Sequence, residues 1–268
     1  MSPAIQALEP GATLHPPARL SCPLSVSGLT VAYDRKPVLW NVDYETPDSG
    51  LIAVIGPNGA GKSTFIKAVL GLVPTLAGQV RVFGEPVAKA RRKIGYVPQR
   101  TAVDWDFPTT AADVVAMGLY GKVGWLRPIL RKHRDQARAM LDRVGMADFA
   151  NQQIGQLSGG QQQRVFLARA LAQDATLYLM DEPLAGVDAA TEAAIITVLR
   201  DLHNAGKTVV VVHHDLATAR DYFDHCLILN QRKIVDGTMD AVFTQDALAR
   251  AYGDRLSGTM TGHARRRA

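Results

Sequence analysis

The stretch Gly56-Pro57-Asn58-Gly59-Ala60-Gly61-Lys62-Ser63-Thr64 fits the pattern G-x-x-x-x-G-K-[ST] and lies where that pattern has physical meaning. The apolar run Leu51–Ile55 before it reads as a buried strand. The segment Ser63–Leu70 after it reads as a helix, stopped by Gly71. Glycines in such a loop let backbone N–H groups turn inward and approach a polyphosphate closely. The helix N-terminus adds partial positive charge at the same point. Lys62 is then expected to bridge the outer phosphates, and the Ser63 hydroxyl to ligate Mg²⁺.

A phosphate loop of this kind needs a second strand that brings a carboxylate to the metal. Leu177-Tyr178-Leu179-Met180-Asp181 is an apolar strand ending in an acid, as that role requires. Glu182 follows at once, where it could polarise a water in line with the terminal phosphate. In a purely structural reading the two acids would only cap the next element ahead of Pro183. Further upstream, Leu157-Ser158-Gly159-Gly160-Gln161 places two glycines before a helix that starts near Gln161. This is a second anion-ready helix start, to which Ser158 adds a hydroxyl. One nucleotide does not need two cradles so far apart in sequence. A head-to-tail dimer would use both, each helix end covering the phosphate held by the other chain.

The rest of the chain bounds these readings. It has 268 residues, 47% hydrophobic and 21% charged, the balance of an ordinary globular protein. No run approaches the length of apolar sequence that a membrane span needs, and no signal peptide is apparent. Two cysteines, Cys22 and Cys226, make no disulfide framework. The net charge of +5 is mild. Its basic clusters, at Lys89 to Lys93, Arg127 to Arg134 and Arg265 to Arg267, read first as solvated faces, with a membrane surface as the minority reading and no nucleic-acid partner expected.

Prolines at 3, 10, 16, 17 and 23 mark residues 1–22 as an arm expected to be disordered. Leu24–Ala32 and Val38–Tyr44 read as a hairpin, followed after the loop by short β runs at Gln79–Phe83 and Ile94–Val97. From about 100 to 164 the texture is helical. One helix opens at Pro108-Thr109-Thr110, with Thr110 and Asp113 spaced as a capping box, and another runs from Lys132 to Val144. Alternation of strand and helix then resumes. A helix reaches Ala172, the strand Thr176–Met180 follows, and then come Ala189–Asn204 as helix, Thr208–Val212 as strand and Leu216–Tyr222 as helix. A small hairpin at 225–235 and a last helix at Gln245–Tyr252 precede a polar, basic tail from 254 to 268. No internal repeat is found, so there is one nucleotide-binding unit, spanning residues 23–253.

The three motifs in this order, Gly56–Thr64, Leu157–Gln161 and Leu177–Glu182, resemble those of the ATPase subunit of ABC transporters over about residues 24–250. That resemblance implies an α/β fold: a P-loop NTPase (RecA-like) core with an antiparallel β subdomain and an inserted α-helical subdomain. It implies ATP and Mg²⁺ as ligands, and it extends the site residue by residue. Tyr33 matches the aromatic that stacks on adenine, and Gln99 the glutamine that touches Mg²⁺ and the attacking water. Ser158, Gly159, Gly160 and Gln161 match the signature that covers the nucleotide of a second copy. Asp188 matches the loop that crosses the dimer interface, although its residue type also makes it a good N-cap for the following helix. In Val212-His213-His214-Asp215, His214 matches the switch histidine that keeps Glu182 and water in register, while His213 reads as a satisfied structural histidine.

The same resemblance implies a homodimer enclosing two ATP, sitting peripherally on the cytoplasmic face of the cell membrane. Its permease partners would insert a short helix into a groove of the helical subdomain, with a separate extracytoplasmic metal-binding protein acting further off. Val103-Asp104-Trp105-Asp106-Phe107-Pro108, Met117-Gly118-Leu119-Tyr120-Gly121 and His213-His214-Asp215-Leu216 are similar to stretches of importers of manganese, zinc or iron. Siderophore or cobalamin importers, and soluble ABC proteins of DNA repair or translation, are the alternatives. The latter carry long coiled-coil insertions for which residues 100–164 are too short. A zinc site built from His213, His214, His225 and Cys226 is disfavoured, because adjacent histidines at a strand end diverge.

Overall fold

The computed structural model describes residues 22–34, 36–102, 105, 107–124 and 127–253. The expected arm, save Cys22, and the expected tail lie outside the described residues, as do Val103, Asp104 and Asp106.

Among the described residues, ten strands form two sheets. In chain order they are β1 (Leu24–Tyr33), β2 (Lys36–Glu45), β3 (Gly50–Ile55), β4 (Ala77–Val82), β5 (Glu85–Pro86), β6 (Ile94–Val97), β7 (Leu177–Asp181), β8 (Thr208–Val212), β9 (His225–Asn230) and β10 (Arg232–Thr238). The helices are α1 (Lys62–Val69), α2 (Val87–Ala90), α3 (Ala111–Met117), α4 (Tyr120–Val123), α5 (Arg131–Arg143), α6 (Gly159–Ala172), α7 (Ala189–Asn204), α8 (Leu216–Tyr222), α9 (Met239–Val242) and α10 (Gln245–Tyr252). The first sheet is antiparallel, in the order β2-β1-β4-β5. The second runs β10-β9-β3-β8-β7-β6 and is parallel except for β10.

The central strands are apolar on both faces because both faces are covered. Alternation along each strand then sorts side chains into two cores. Ala53, Ile55, Tyr178, Met180, Val209, Val211, Cys226 and Ile228 face a core built with α3, α5, α6 and α7. Ile52, Val54, Leu177, Leu179, Val210, Val212, Leu227 and Leu229 face a second core shared with the antiparallel sheet. The apolar face of α1, with Phe65, Ile66, Ala68 and Val69, lies in that second core. The phosphate-loop helix is thus held between two sheets.

The helices start where their caps dictate. Thr110 accepts from the Asp113 amide, Asp188 from Thr191, Asp215 from Ala217 and Thr244 from Ala247. Between β6 and β7 the chain leaves the sheet, and α3, α5 and α6 pack on one another. Their outer side carries an apolar groove of about 340 Å³, lined by Trp105, Phe107, Val114, Met117, Ile154 and Phe166. Phe107 is 58% exposed there. Among the described residues no helix is long and apolar enough to cross a membrane.

Register aligns the carboxyl ends of the parallel strands. Val54 and Asp181 both sit opposite Val212, and Met180 sits opposite Val97. The residues that follow these strand ends, the loop from Gly56, Gln99, Glu182 and His213-His214, therefore emerge along one edge. This is the edge at which open α/β sheets bind ligands.

Candidate functional site

The loop Gly56–Lys62 closes around a cavity of about 210 Å³. Its wall is made of Asn58, Gly59, Ala60, Gly61, Lys62, Ser63 and Thr64, together with Val38 from β2 and Glu182. Pro57 contributes its carbonyl from behind: the Lys62 ammonium donates to Gly56 O at 2.8 Å and to Pro57 O at 3.0 Å. Lys62 is buried, and that burial lowers its pKa, while Glu182 and Asp181 pull in the opposite direction.

Two glycines are required for different reasons. Gly61 has φ +91°, and a Cβ there would lie 2.6 Å from Leu39 and 2.8 Å from Val38 O. At Gly56 the difficulty is space alone, since a Cβ would stand 2.0 Å from Leu229 O of β9. Gly56→Ala is expected to destabilise the fold by about 1–3 kcal/mol and to weaken nucleotide binding as the loop moves off β9. Thermal unfolding together with titration of a fluorescent ATP analogue tests this, and a variant that unfolds and binds like the native chain would refute it.

Beside the loop lies a carboxylate pair. Asp181 is fully buried at the end of β7, and its Oδ1 accepts from Ser63 Oγ at 2.8 Å. Its Oδ2 is buried without a hydrogen-bond partner. Burial raises the Asp181 pKa, the Ser63 hydroxyl counters this, and the neighbouring Glu182 charge adds to the rise. A buried carboxylate oxygen lacking a partner is costly unless a cation meets it. Together with the Ser63 hydroxyl it makes an all-oxygen donor set suited to Mg²⁺. Glu182 takes φ +52°, a left-handed backbone uncommon for a residue with a side chain. It leaves β7 at an angle that turns its carboxylate into the cavity wall, where Gln99 Nε2 donates to its Oε2 at 2.9 Å. The structure thus brings together Gly56–Thr64, Gln99, Asp181 and Glu182.

The other expected site residues do not line the loop cavity. Tyr33, 44% exposed, ends β1. His214 is exposed, two residues past β8, with its ring centroid 6.0 Å from that of His213. His213 is buried, its Nε2 is 2.9 Å from Thr218 Oγ1, and burial lowers its pKa to about 4. None of Ser158, Gly159, Gly160 and Gln161 lines the loop cavity. Ser158 is exposed at the N-cap of α6, where its Oγ accepts from Gln161 N at 3.3 Å and its own N–H donates to Gln161 Oε1 at 2.8 Å. Its hydroxyl oxygen therefore serves as a cap acceptor. Gly159 packs beside the Arg100 guanidinium and Gly160 against Thr191, whose amide is capped by the exposed Asp188.

Sequence reasoning missed the support behind the loop. Gln231, in the β9–β10 turn with φ +58°, donates its N–H to Ala60 O at 2.9 Å, and its carbonyl accepts from Trp40 N at 2.8 Å. Nothing local in the sequence marks a backbone contact between positions 60 and 231.

The comparisons with known proteins agree with this geometry. Residues 39–185 match the family model for ABC transporters. The zinc transport system ATP-binding protein TroB of Treponema pallidum (strain Nichols) is 56% identical over 237 residues, which cover 88% of this chain and 89% of that protein. The manganese transport system ATP-binding protein MntB of Bacillus subtilis (strain 168) is also 56% identical, over 88% of this chain and 94% of its own. A dimeric ATP-binding cassette solved in a post-hydrolysis state with ADP and Pi superposes with a TM-score of 0.73 at 30% identity, over 81% of this chain and 98% of that one. With a phosphate loop, a buried acid and an angled glutamate on one sheet edge, and relatives of this closeness over most of its length, the chain belongs to the ABC transporter ATP-binding family.

Proposed function

We propose that the chain is the ATP-hydrolysing subunit of a transporter that imports a divalent metal cation, manganese, zinc or iron. The observation that carries the hydrolytic part is the buried, half-satisfied Asp181 beside Ser63, with Glu182 held by Gln99 at the same cavity. The metal cargo rests on the two transport ATPases at 56% identity.

ATP is the substrate, its phosphates lying in the loop and its adenine against Tyr33. Lys62 and the loop amides stabilise the charge that develops on the transferring phosphoryl group. When bound, Mg²⁺ neutralises phosphate charge, and Ser63, Asp181 and the carbonyl oxygen of Gln99 are the groups that would hold it. Glu182 orients the attacking water and takes its proton, while Gln99 fixes the rotamer of Glu182 by donating to one oxygen and leaving the other for water. His214 steadies that water from the adjacent strand end.

Because Ser158–Gln161 lie outside the cavity, a second copy in head-to-tail register supplies them, with Asp188 at the seam. The apolar groove at Trp105, Phe107 and Met117 receives a short helix of the permease. The subunit is therefore peripheral, on the cytoplasmic face of the membrane. The test is co-purification with the permease, followed by metal uptake with native chain and with Lys62→Ala. Uptake that is lost with Lys62→Ala supports the proposal, and uptake that persists unchanged removes it.

A further inference from the structure

One of the chain's basic clusters lies in the helical subdomain, where between residues 119 and 138 six cations, Lys122, Arg127, Arg131, Lys132, Arg134 and Arg138, stand against the single acid Asp135. Beside α4 and the start of α5 lies a groove of about 400 Å³. Lys122, Arg127 and Lys132 line the groove, and so do the apolar side chains Leu119, Val123 and Leu130. Leu130 is 51% exposed. Lys122 pairs with Asp174 at 3.8 Å, a solvent-exposed contact of little strength.

A groove lined both by cations and by an exposed leucine matches a molecule that has an anionic part and an apolar part. A nucleic acid backbone has no use for Leu130. Leu119 of this groove stands two residues after Met117 of the apolar groove, which is the surface assigned above to the membrane partner. From this charge complementarity and this closeness, we infer that the groove lined by Lys122, Arg127, Leu130 and Lys132 binds the headgroup of an anionic phospholipid, with Leu130 dipping toward the acyl region. The inference rests on the membrane-side orientation in the proposed function.

The test is co-sedimentation of the full chain with phosphatidylglycerol-rich vesicles and with phosphatidylcholine vesicles. Binding is expected to the anionic vesicles only, and to weaken as salt is raised. Neutralising Arg127 and Lys132 together to alanine is expected to weaken it about thirty-fold. The control pair Arg91→Ala/Arg92→Ala, on another exposed basic cluster, is expected to leave binding within two-fold, which only a local site predicts. Leu130→Ser is expected to weaken vesicle binding while leaving binding to soluble heparin unchanged. Circular dichroism checks that each variant is folded, and Arg127→Gln/Lys132→Gln serves where the alanine pair is not. The inference is overturned by equal binding to both vesicle types, by equal losses in the two pairs, or by indifference to Leu130→Ser. ATP hydrolysis measured in the same samples separates this from failure of the catalytic reading, since neither pair touches the nucleotide cavity.

Discussion

Glu182→Gln is expected to retain ATP binding and to lower hydrolysis about a hundred- to ten-thousand-fold. The substitution preserves shape. Glutamine still presents an oxygen to Gln99 Nε2, which Glu182 Oε2 accepts from at 2.9 Å, and it meets the same left-handed backbone at φ +52°. What disappears is the negative charge proposed to take the proton of the attacking water. ATP should then accumulate uncleaved and hold two chains together, so gel filtration with ATP should report a dimer where the native chain turns over. Steady-state phosphate release gives the decisive number: a variant keeping most of its activity would remove Glu182 from the base role.

Ser158→Arg is expected to abolish hydrolysis, by about a hundred-fold or more, without changing the affinity of a single chain for ATP. Ser158 is exposed and does not line the loop cavity, so a bulky cation there is not expected to touch a nucleotide bound to its own chain. The lost cap on α6 costs about 1 kcal/mol, which a domain of this size absorbs. The effect on activity would come from the neighbouring copy, whose phosphate this helix end should cover. Nucleotide affinity measured on dilute monomer, beside turnover at high protein concentration, separates the two. Direct weakening of monomer binding would show the site to be complete within one chain.

Much of the fold is legible where a cap and a period coincide. Ala189–Asn204, Thr208–Val212, Leu216–Tyr222 and Gln245–Tyr252 have the expected bounds, because Asp188, Asp215 and Thr244 mark the helix starts and β8 is β-branched at every position. The four-residue helices α2, α4 and α9 are too short to show a period, and no sequence signal announced them. The pairing of β1 with β4, Leu24 opposite Val82, is also invisible locally, since the phosphate loop and α1 intervene. At the site the same division holds. Gly56–Thr64, Asp181 and Glu182 carry their chemistry in contiguous motifs. The Ser63–Asp181 bond spans 118 positions, and the Gln231 contact to Ala60 is made by backbone alone, so neither leaves a compositional trace.

The division of β8 between two cores has a consequence for how the protein can be tuned. Val210 and Val212 press on the compartment that holds α1, whereas Val209 and Val211 press on the compartment that holds the helices between β6 and β7. One thickness of peptide backbone is all that separates them. Neighbouring positions of a five-residue strand therefore act as two independent dials. Trimming a methyl group at an even position loosens the seat of Lys62, and trimming one at an odd position loosens the arm that hangs from Gln99. Under the proposed function, nucleotide binding and its coupling to the partner should therefore respond separately to substitutions within a single strand.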